Sequence, residues 1–232
     1  MTFTYAAIST GGVVLVADSQ VTHTHRDSIG NVIGTYKGQV GKIRRIKDHS
    51  AFSIAENLGL ADTLLAEAGG TVNESCFESA VESYQRSFIE SLRRMYRGCP
   101  PPGAPRVEFL FCGYTQRRVA QIVKMTSDNF FAQNPITRRG YASTGSAKEH
   151  GAALYLHHRF YRDDLTLEQA KLLAYCIAAE VAEFDNSVGG PVEIEVIAPS
   201  GSSPLAATEL ENYRQVRGKL IELLGGHIAR LH

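Results

Sequence analysis

The chain opens on short apolar runs separated by turn residues. Runs at 5–8 and 13–17 are split by a glycine pair at 11–12, a pattern typical of a β-hairpin. Thr2 stands just before the first of these strands, and Asp18 ends the second. Because the two strands of a hairpin run antiparallel, we expect Thr2 and Asp18 to meet at one edge of a buried sheet.

The hydrophobic spacing predicts further strands and helices along the rest of the chain. Strands are predicted at 42–46, 51–55, 107–112, 119–125 and 192–197. Helices are predicted at about 58–68, 75–96, 147–158, 167–184 and 208–224. The proline- and glycine-rich segment 98–103 is interpreted as a stiff surface loop.

Two of the predicted helices carry a capping signal and a clear apolar face. Ser75 with Glu78, and Thr166 with Gln169, have the spacing of a capping box. The expected buried faces are Phe77, Val81, Tyr84, Phe88, Leu92 and Met95 in the first helix, and Ala170, Leu173, Ile177, Val181 and Phe184 in the second. Helix pairs that bracket groups of antiparallel strands favour an α+β fold, a four-layer αββα sandwich of two antiparallel sheets.

Composition narrows the class of protein without identifying it. With 232 residues, 44% of them apolar, the chain is expected to form a single domain over 1–232. Its formal net charge of zero gives no sign of nucleic-acid or membrane binding. The apolar runs are too short for a bilayer, the start lacks signal-peptide features, and the four cysteines lack paired spacing. We therefore expect a cytoplasmic protein with reduced thiols.

A threonine directly after the initiator methionine carries the first candidate chemistry. Methionine is removed most readily before small residues, and this would leave Thr2 at the N-terminus. Its hydroxyl would then be joined to a base, its own α-amine, whose pKa of about 8 leaves much of it neutral in the cell. Many proteins begin in this way without using the threonine, so the nearby Asp18 is what makes the arrangement suggestive.

Other candidate sites are weaker. The histidine pairs His23 with His25 and His157 with His158 have spacings that can bind a metal, but neither has a third ligand nearby in the sequence. The glycine-rich segment 30–41 has no phosphate-binding or dinucleotide pattern, and we expect it to form a loop beside a substrate cleft. No metal or organic cofactor is predicted.

Four short motifs, taken together, resemble one family. They are GVVLVADSQVT at 12–22, GKIRRI at 41–46, STGS at 143–146 and DNSVGG at 185–190. In this order they resemble the proteasome β-subunit group of N-terminal-nucleophile hydrolases. Bacterial relatives in that group are the heat-shock-locus-V peptidase, the Anbu type and the proteobacterial proteasome homologue. The resemblance covers residues 2 to about 199 and implies the N-terminal-nucleophile hydrolase fold.

The resemblance also implies roles for five residues. Thr2 would be the nucleophile, and Lys42, held by Asp18, would lower the pKa of the threonine amine. Ser146 and Asp185 would contact the amine and the hydroxyl and relay the proton. The pattern alone does not select them, because alternation around Lys42 shows no apolar face and a serine or aspartate at a helix end is usually a cap.

The motifs depart from the family at two points. The family usually has a glycine after the strand at 51–55, where a backbone amide stabilises the oxyanion, and here that residue is Glu56. Asn57 or Gly59 could supply the amide instead. The residue before the double glycine is usually a serine, and here it is Val188, with Ser187 one position earlier.

By the same resemblance, Val21 and the strand near Ile54 would border the pocket for the residue that precedes the scissile bond. Two apolar side chains at that pocket favour apolar specificity.

The function implied is that of an N-terminal threonine endopeptidase subunit in a self-compartmentalising ring. A homo-oligomer of twelve or fourteen subunits, as a ring or double ring of closed or helical form, is expected by analogy, with ring-to-ring contacts through the helices at 75–96 and 147–158. Substrates would be peptides or unfolded proteins, and an ATPase unfoldase is a candidate partner. Two alternatives remain: a small-molecule amide hydrolase on the same fold, and a non-catalytic ring or scaffold subunit. The joint presence of the five implied site residues argues against the scaffold, while Glu56 and Val188 leave room for it.

Overall fold

The computed structural model describes residues 2–26, 28–29, 32–69, 76–136, 140–145 and 151–228. The strands in chain order are β1 (Thr4–Ser9), β2 (Gly12–Asp18), β3 (Gln20–Arg26), β4 (Val32–Gln39), β5 (Ile43–Lys47), β6 (Ser50–Glu56), β7 (Val107–Tyr114), β8 (Ala120–Thr126), β9 (Asn134–Ile136), β10 (Tyr141–Thr144), β11 (Val192–Ala198) and β12 (Gly201–Pro204). The helices are α1 (Leu58–Ala68), α2 (Phe77–Tyr96), α3 (Gly151–Phe160), α4 (Leu167–Phe184) and α5 (Ala207–Ile228), with a short 3-10 turn at Ser127–Asn129.

The strands form two five-stranded sheets and one separate hairpin. The first sheet has the order β10-β1-β2-β11-β12, and the second has the order β5-β6-β7-β8-β9. Every pairing in them is antiparallel. The predicted hairpin is confirmed as β1–β2, with Thr4 opposite Ala17 and Ser9 opposite Gly12. This register brings the residue before β1 and the last residue of β2 to the same edge.

Three apolar clusters stack the elements into four layers. Helices α3 and α4 pack on the outer face of the first sheet with α5 against α4, and α1 and α2 pack on the outer face of the second. The inner faces meet through side chains such as Leu15 on β2 and Leu110 on β7. Strand β2 is buried along its whole length because it is covered by helices on one face and by the second sheet on the other. The predicted α+β four-layer αββα sandwich is confirmed.

The segment that follows the first hairpin differs from the prediction. We expected residues 30–41 to form a loop, but most of them belong to β4, which pairs with β3 as a two-stranded hairpin. The sequence of β4, VIGTYKGQ, contains the β-branched residues Val32, Ile33 and Thr35 and the aromatic Tyr36, residue types that favour a strand over a loop.

The two capping predictions had different outcomes. The capping box of α4 is confirmed, since Thr166 and Gln169 exchange both side-chain to backbone hydrogen bonds. At the start of α2 the N-cap residue is Cys76, without a side-chain cap, and the Glu78 carboxylate accepts the Gln116 N–H instead. Ser75 lies outside the described residues.

The predicted apolar faces of α2 and α4 are buried, except that Tyr84 on α2 is half-buried and that one end of each face is exposed. Met95 near the end of α2 and Phe184 at the end of α4 are exposed. None of the helices within the described ranges is long and apolar enough to cross a membrane.

Candidate active site

Thr2 lies in the wall of a cleft at one end of the sandwich. Although only 2% exposed, it lines this cleft of about 650 Å³. The opposite walls come from β3, from the end of β4 and from residues 56–59 at the start of α1. The predicted nucleophile therefore lies at an open cavity rather than inside the packed core.

Asp18 is held beside the threonine by the ends of the β1–β2 hairpin. Its Oδ1 accepts the N–H of Phe3 at 2.8 Å, and its own N–H donates to the Phe3 carbonyl at 3.2 Å. Asp18 is 2% exposed. The carboxylate is thus hydrogen-bonded to the residue that directly follows Thr2, as the hairpin pattern predicted.

Lys42 brings a buried cation to the same point. Its side chain is fully buried, and its Nζ donates to Asp18 Oδ1 at 2.8 Å and to the Gln20 carbonyl at 2.6 Å. Its backbone N–H donates to Glu193 Oε2 at 2.9 Å, which fixes the chain just before β5. Burial lowers the pKa of the Lys42 amine, and the nearby Asp18 carboxylate opposes that shift.

The double-glycine turn packs against the same carboxylate. Gly189 donates its N–H to Asp18 Oδ2 at 3.3 Å, and its carbonyl accepts the N–H of Gln20. Asp185 ends α4 and accepts both the N–H and the hydroxyl of Ser187, at 2.8 and 2.5 Å. Asp18, Lys42 and the turn that carries Asp185 are therefore brought together.

The serine-bearing turn reaches Thr2 through Gly145. Gly145 has φ +90°, and a Cβ there would overlap the carbonyl oxygen of Thr2. Only glycine fits such a close approach in this backbone conformation. Ser146, the predicted catalytic serine, lies outside the described residues.

The end of β6 presents the candidate oxyanion amide. Glu56 has φ +74°, a conformation that glycine adopts far more readily. Ile54 donates its N–H toward the β5 side, to the Lys42 carbonyl, and because strand N–H groups alternate between edges, the Glu56 N–H also points away from β7. The Asn57 N–H is engaged by the Arg106 carbonyl at 3.0 Å, which leaves Glu56 and Gly59 as donors.

The two predicted pocket residues are separated by the fold. Val21 on β3 lines the cleft. Ile54 is 1% exposed and packs in the cluster under α1 and α2, so it does not line the cleft. The charged groups in the cleft wall are instead the carboxylates of Glu56 and Asp62. Within the described ranges, no group of three or more potential metal ligands lies together.

A second buried ion pair near the site was missed in the sequence. Glu108 on β7 is fully buried and its Oε2 accepts the Gly145 N–H at 3.0 Å. Lys124 on β8 lies 3.6 Å from the same oxygen. A glutamate inside the apolar run of β7, VEFLFCGY, is the signal that could have found it.

Comparison with solved structures finds proteins that have the same fold. Anbu (ancestral beta-subunit) from Yersinia bercovieri superposes with a TM-score of 0.74 at 13% identity, covering 98% of this chain and 96% of that one. Anbu from Hyphomicrobium sp. strain MC1 gives a TM-score of 0.70 at 14% identity, covering 97% of each chain. A Gly-1 mutant of the Hyphomicrobium protein gives 0.69 at 14% identity, again with 97% coverage of both chains.

These likenesses extend over almost the whole chain but at low identity. No protein-family model matches the chain, and no curated protein matches its sequence. The comparisons therefore show that the chain has the fold of Anbu.

Proposed function

We propose that this protein is a proteasome-like threonine peptidase subunit of the Anbu kind, with Thr2 as its N-terminal nucleophile. The observation that carries the proposal is the buried Asp18–Lys42 pair, with Asp18 accepting the N–H next to Thr2 at the wall of an open cleft. A buried ion pair costs free energy to desolvate, and such pairs concentrate where chemistry needs a fixed charge. The fold shared with Anbu supports the same conclusion.

The proposed reaction begins once Met1 is removed. The Thr2 amine takes the proton of the Thr2 hydroxyl through a water molecule as Oγ attacks a peptide carbonyl. The Lys42 cation favours the neutral, basic form of that amine. The backbone N–H of Glu56 donates to the developing oxyanion, and the dipole of α1 adds to that stabilisation.

The intermediate collapses with cleavage of the C–N bond, and the leaving amine takes up the proton. The product on the enzyme is an ester between Thr2 Oγ and the acyl part of the peptide. A water molecule then attacks the ester carbonyl while the amine takes its proton. The bond between the acyl carbon and Thr2 Oγ breaks, Oγ takes up that proton, and the peptide's new carboxylic acid is released. Ser146 and Asp185 are proposed to carry protons between the amine and the hydroxyl.

The chain is proposed to act as one domain in a cytoplasmic homo-oligomer of twelve or fourteen subunits. A peptidase with an open cleft would cleave cellular proteins indiscriminately unless its sites were enclosed. Contacts of cyclic symmetry between copies would build each ring, and α2 and α3 are proposed as the ring-to-ring contact surfaces. Substrates would be peptides or unfolded proteins that enter the ring, with an ATPase unfoldase as a candidate partner.

The test starts from the purified protein and its intact mass, which must show loss of Met1. The wild type is then assayed with fluorogenic peptides that carry apolar, acidic or basic residues before the scissile bond. Thr2→Ala should abolish hydrolysis. Thr10→Ala, at the opposite end of the β1–β2 hairpin, should retain it. A retained Met1, or equal hydrolysis by wild type and Thr2→Ala, would overturn the proposal.

Oligomeric state is measured by light scattering at micromolar concentration. A ring of twelve or fourteen subunits supports the compartment. A stable monomer that cleaves small amides and leaves peptides intact would overturn the peptidase in favour of a small-molecule amide hydrolase.

A further inference from the structure

Beneath the candidate site, the inner face of the second sheet carries a buried pair of opposite charges. Glu108 is fully buried, and Lys124 is about four-fifths buried, with its Nζ 3.6 Å from Glu108 Oε2. We call this pair the Glu108–Lys124 clamp. Charges at such depth are retained only when they have partners, because removing an ion from water is costly.

Both charges of the clamp hold the backbone of the turn that precedes Ser146. Glu108 Oε2 accepts the Gly145 N–H at 3.0 Å, and Lys124 Nζ donates to the Ser143 carbonyl at 3.4 Å. The Glu108 carboxylate therefore holds the N–H of Gly145, and the Lys124 ammonium group holds the carbonyl of Ser143, two residues earlier. Hydrogen bonds to charged groups are roughly twice as strong as those between neutral groups.

The turn held in this way is in direct contact with the nucleophile. Gly145 approaches the Thr2 carbonyl so closely that no other residue fits at that position. Two residues after Thr2, the Thr4 hydroxyl shares a 2.6 Å hydrogen bond with the Thr144 hydroxyl. A shift of the turn would therefore move the backbone of Thr2 as well.

The same segment of β7 also holds the opposite wall of the cleft. Arg106 pairs with the Glu108 carboxylate through its guanidinium, and its carbonyl accepts the Asn57 N–H at 3.0 Å. Residues 106–108 are thus connected both to the Thr2 side and to the Glu56–Asn57 side of the cleft.

We propose that Glu108 is a positioning residue for the reaction, which sets the distance between Thr2 and the amide of Glu56 without touching substrate. The inference rests on the proposed function for its kinetic consequence, but its structural consequence can be measured separately. The charge on Glu108 is needed because a neutral side chain cannot hold Gly145, Lys124 and Arg106 together.

The test compares Glu108→Gln with a matched control, Glu195→Gln. Glu195 is also a buried carboxylate of the inter-sheet space, paired with an arginine, Arg45, at 2.5 Å, but it lies on β11 opposite Leu15. Both variants remove a buried negative charge, so both are expected to lose stability. Only the Glu108 variant should alter the site.

Two measurements are made on both variants. Hydrogen exchange in the segment 140–145 should be about tenfold faster in Glu108→Gln and unchanged in Glu195→Gln. For peptide hydrolysis, kcat should fall roughly ten- to a hundredfold with KM within about twofold in Glu108→Gln, because misplacement of reacting groups affects the chemical step. Glu195→Gln should keep the wild-type kcat per folded molecule.

A double variant, Glu108→Gln with Lys124→Met, covers the case in which the single variant does not fold. It removes both charges of the clamp together, and it should show the same faster exchange and lower kcat. The proposal is overturned if the double variant exchanges hydrogen in 140–145 at the wild-type rate and keeps the wild-type kcat. It is also overturned if Glu108→Gln and Glu195→Gln change exchange and kcat equally. If the wild type cleaves no peptide, the peptidase proposal fails, and the exchange measurement alone decides whether the clamp holds the turn.

Discussion

The space between the two sheets has different chemistry at its two ends. At the end near the β1–β2 turn most of the side chains are apolar, among them Val13, Leu15 and Ile122, and one paired carboxylate, Glu195, lies beside Leu15. At the Thr2 end the same inner faces carry Glu108 and Lys124. Both ends belong to the same strands, so strand geometry alone does not account for the difference.

The polar end is the more costly of the two to form. Apolar side chains gain free energy on burial, whereas buried charges must recover their desolvation cost from partners. The additional buried charges at the Thr2 end agree with the active site proposed there.

The largest effect is expected from Lys42→Met, which leaves the Asp18 carboxylate buried without its cation. Breaking a buried pair by removing one partner costs about 4 kcal/mol of unfolding free energy. Peptide hydrolysis per folded molecule should also be lost, since the proposed amine base loses its neighbouring positive charge. Chemical denaturation and fluorogenic peptide assays measure the two effects.

The control for Lys42→Met comes from the apolar end of the space. Leu15→Ala creates a cavity in a fully buried position and should cost about 3 kcal/mol, with hydrolysis per folded molecule retained. If the two variants lose stability and activity in the same proportion, the two ends do not differ in function.

A somewhat smaller effect is expected from Gly145→Ala, at the contact between the serine-bearing turn and Thr2. The added Cβ would overlap the Thr2 carbonyl oxygen, and φ is +90°, so stability should fall by roughly 3 kcal/mol and hydrolysis should be lost.

Gly151→Ala at the start of α3 is the matched substitution, because a Cβ there meets nothing within 4 Å. It should leave stability within about 0.5 kcal/mol of the wild type. Wild-type hydrolysis by Gly145→Ala would show that the turn tolerates displacement.

The sequence predicts the apolar end of the molecule better than the polar one. Within the described residues, periodicity located the five helices and the longer strands of the two sheets, because burial of one face imposes a repeat on the residues, but it missed the separate hairpin of β3 and β4. The hairpin that joins Thr2 to Asp18 followed from the same signal. In contrast, alternation around Lys42 did not select that residue, and only the family resemblance did.

The parts that were missed depend on contacts between residues distant in sequence. Glu108 meets Gly145 across 37 positions, and neither residue carries a local pattern that indicates the other. The pocket residue Ile54 was misplaced because alternation along β6 turns it toward the helices, a choice of face that short strands do not fix in the sequence. For Ser146 the catalytic role stays a prediction.

A third prediction concerns a titratable group outside both ends of the inter-sheet space. His157 on α3 packs on the outer face of the first sheet, with its Nδ1 2.9 Å from the Tyr5 hydroxyl. Burial, with a smaller contribution from His158, lowers the pKa of His157 to about 4. The neutral ring therefore stabilises the fold above the ordinary pKa of 6.5, and this contribution is lost as the pH falls toward 4.

The loss over that window should be roughly 3 kcal/mol for this one group. Urea denaturation between pH 7 and 4 is compared for the wild type and His157→Gln. The variant should be less stable at pH 7, and the difference between the two proteins should shrink on acidification. Parallel curves would mean that His157 does not titrate with the folded state.

The smallest effect is expected at the cleft wall, from Asn57→Ala. The Asn57 side chain caps α1 by accepting the Leu60 N–H at 2.8 Å, and loss of such a cap costs about 1 kcal/mol. Its backbone N–H to the Arg106 carbonyl remains, so the wall should keep its position and kcat should change less than about threefold.

Asn57→Asp, which retains the cap and adds a negative charge near the proposed oxyanion, should keep the stability and lower kcat further than alanine does. Equal kcat in Asn57→Ala and Asn57→Asp would mean that the oxyanion forms away from the start of α1. The Glu56 N–H would then not be its donor.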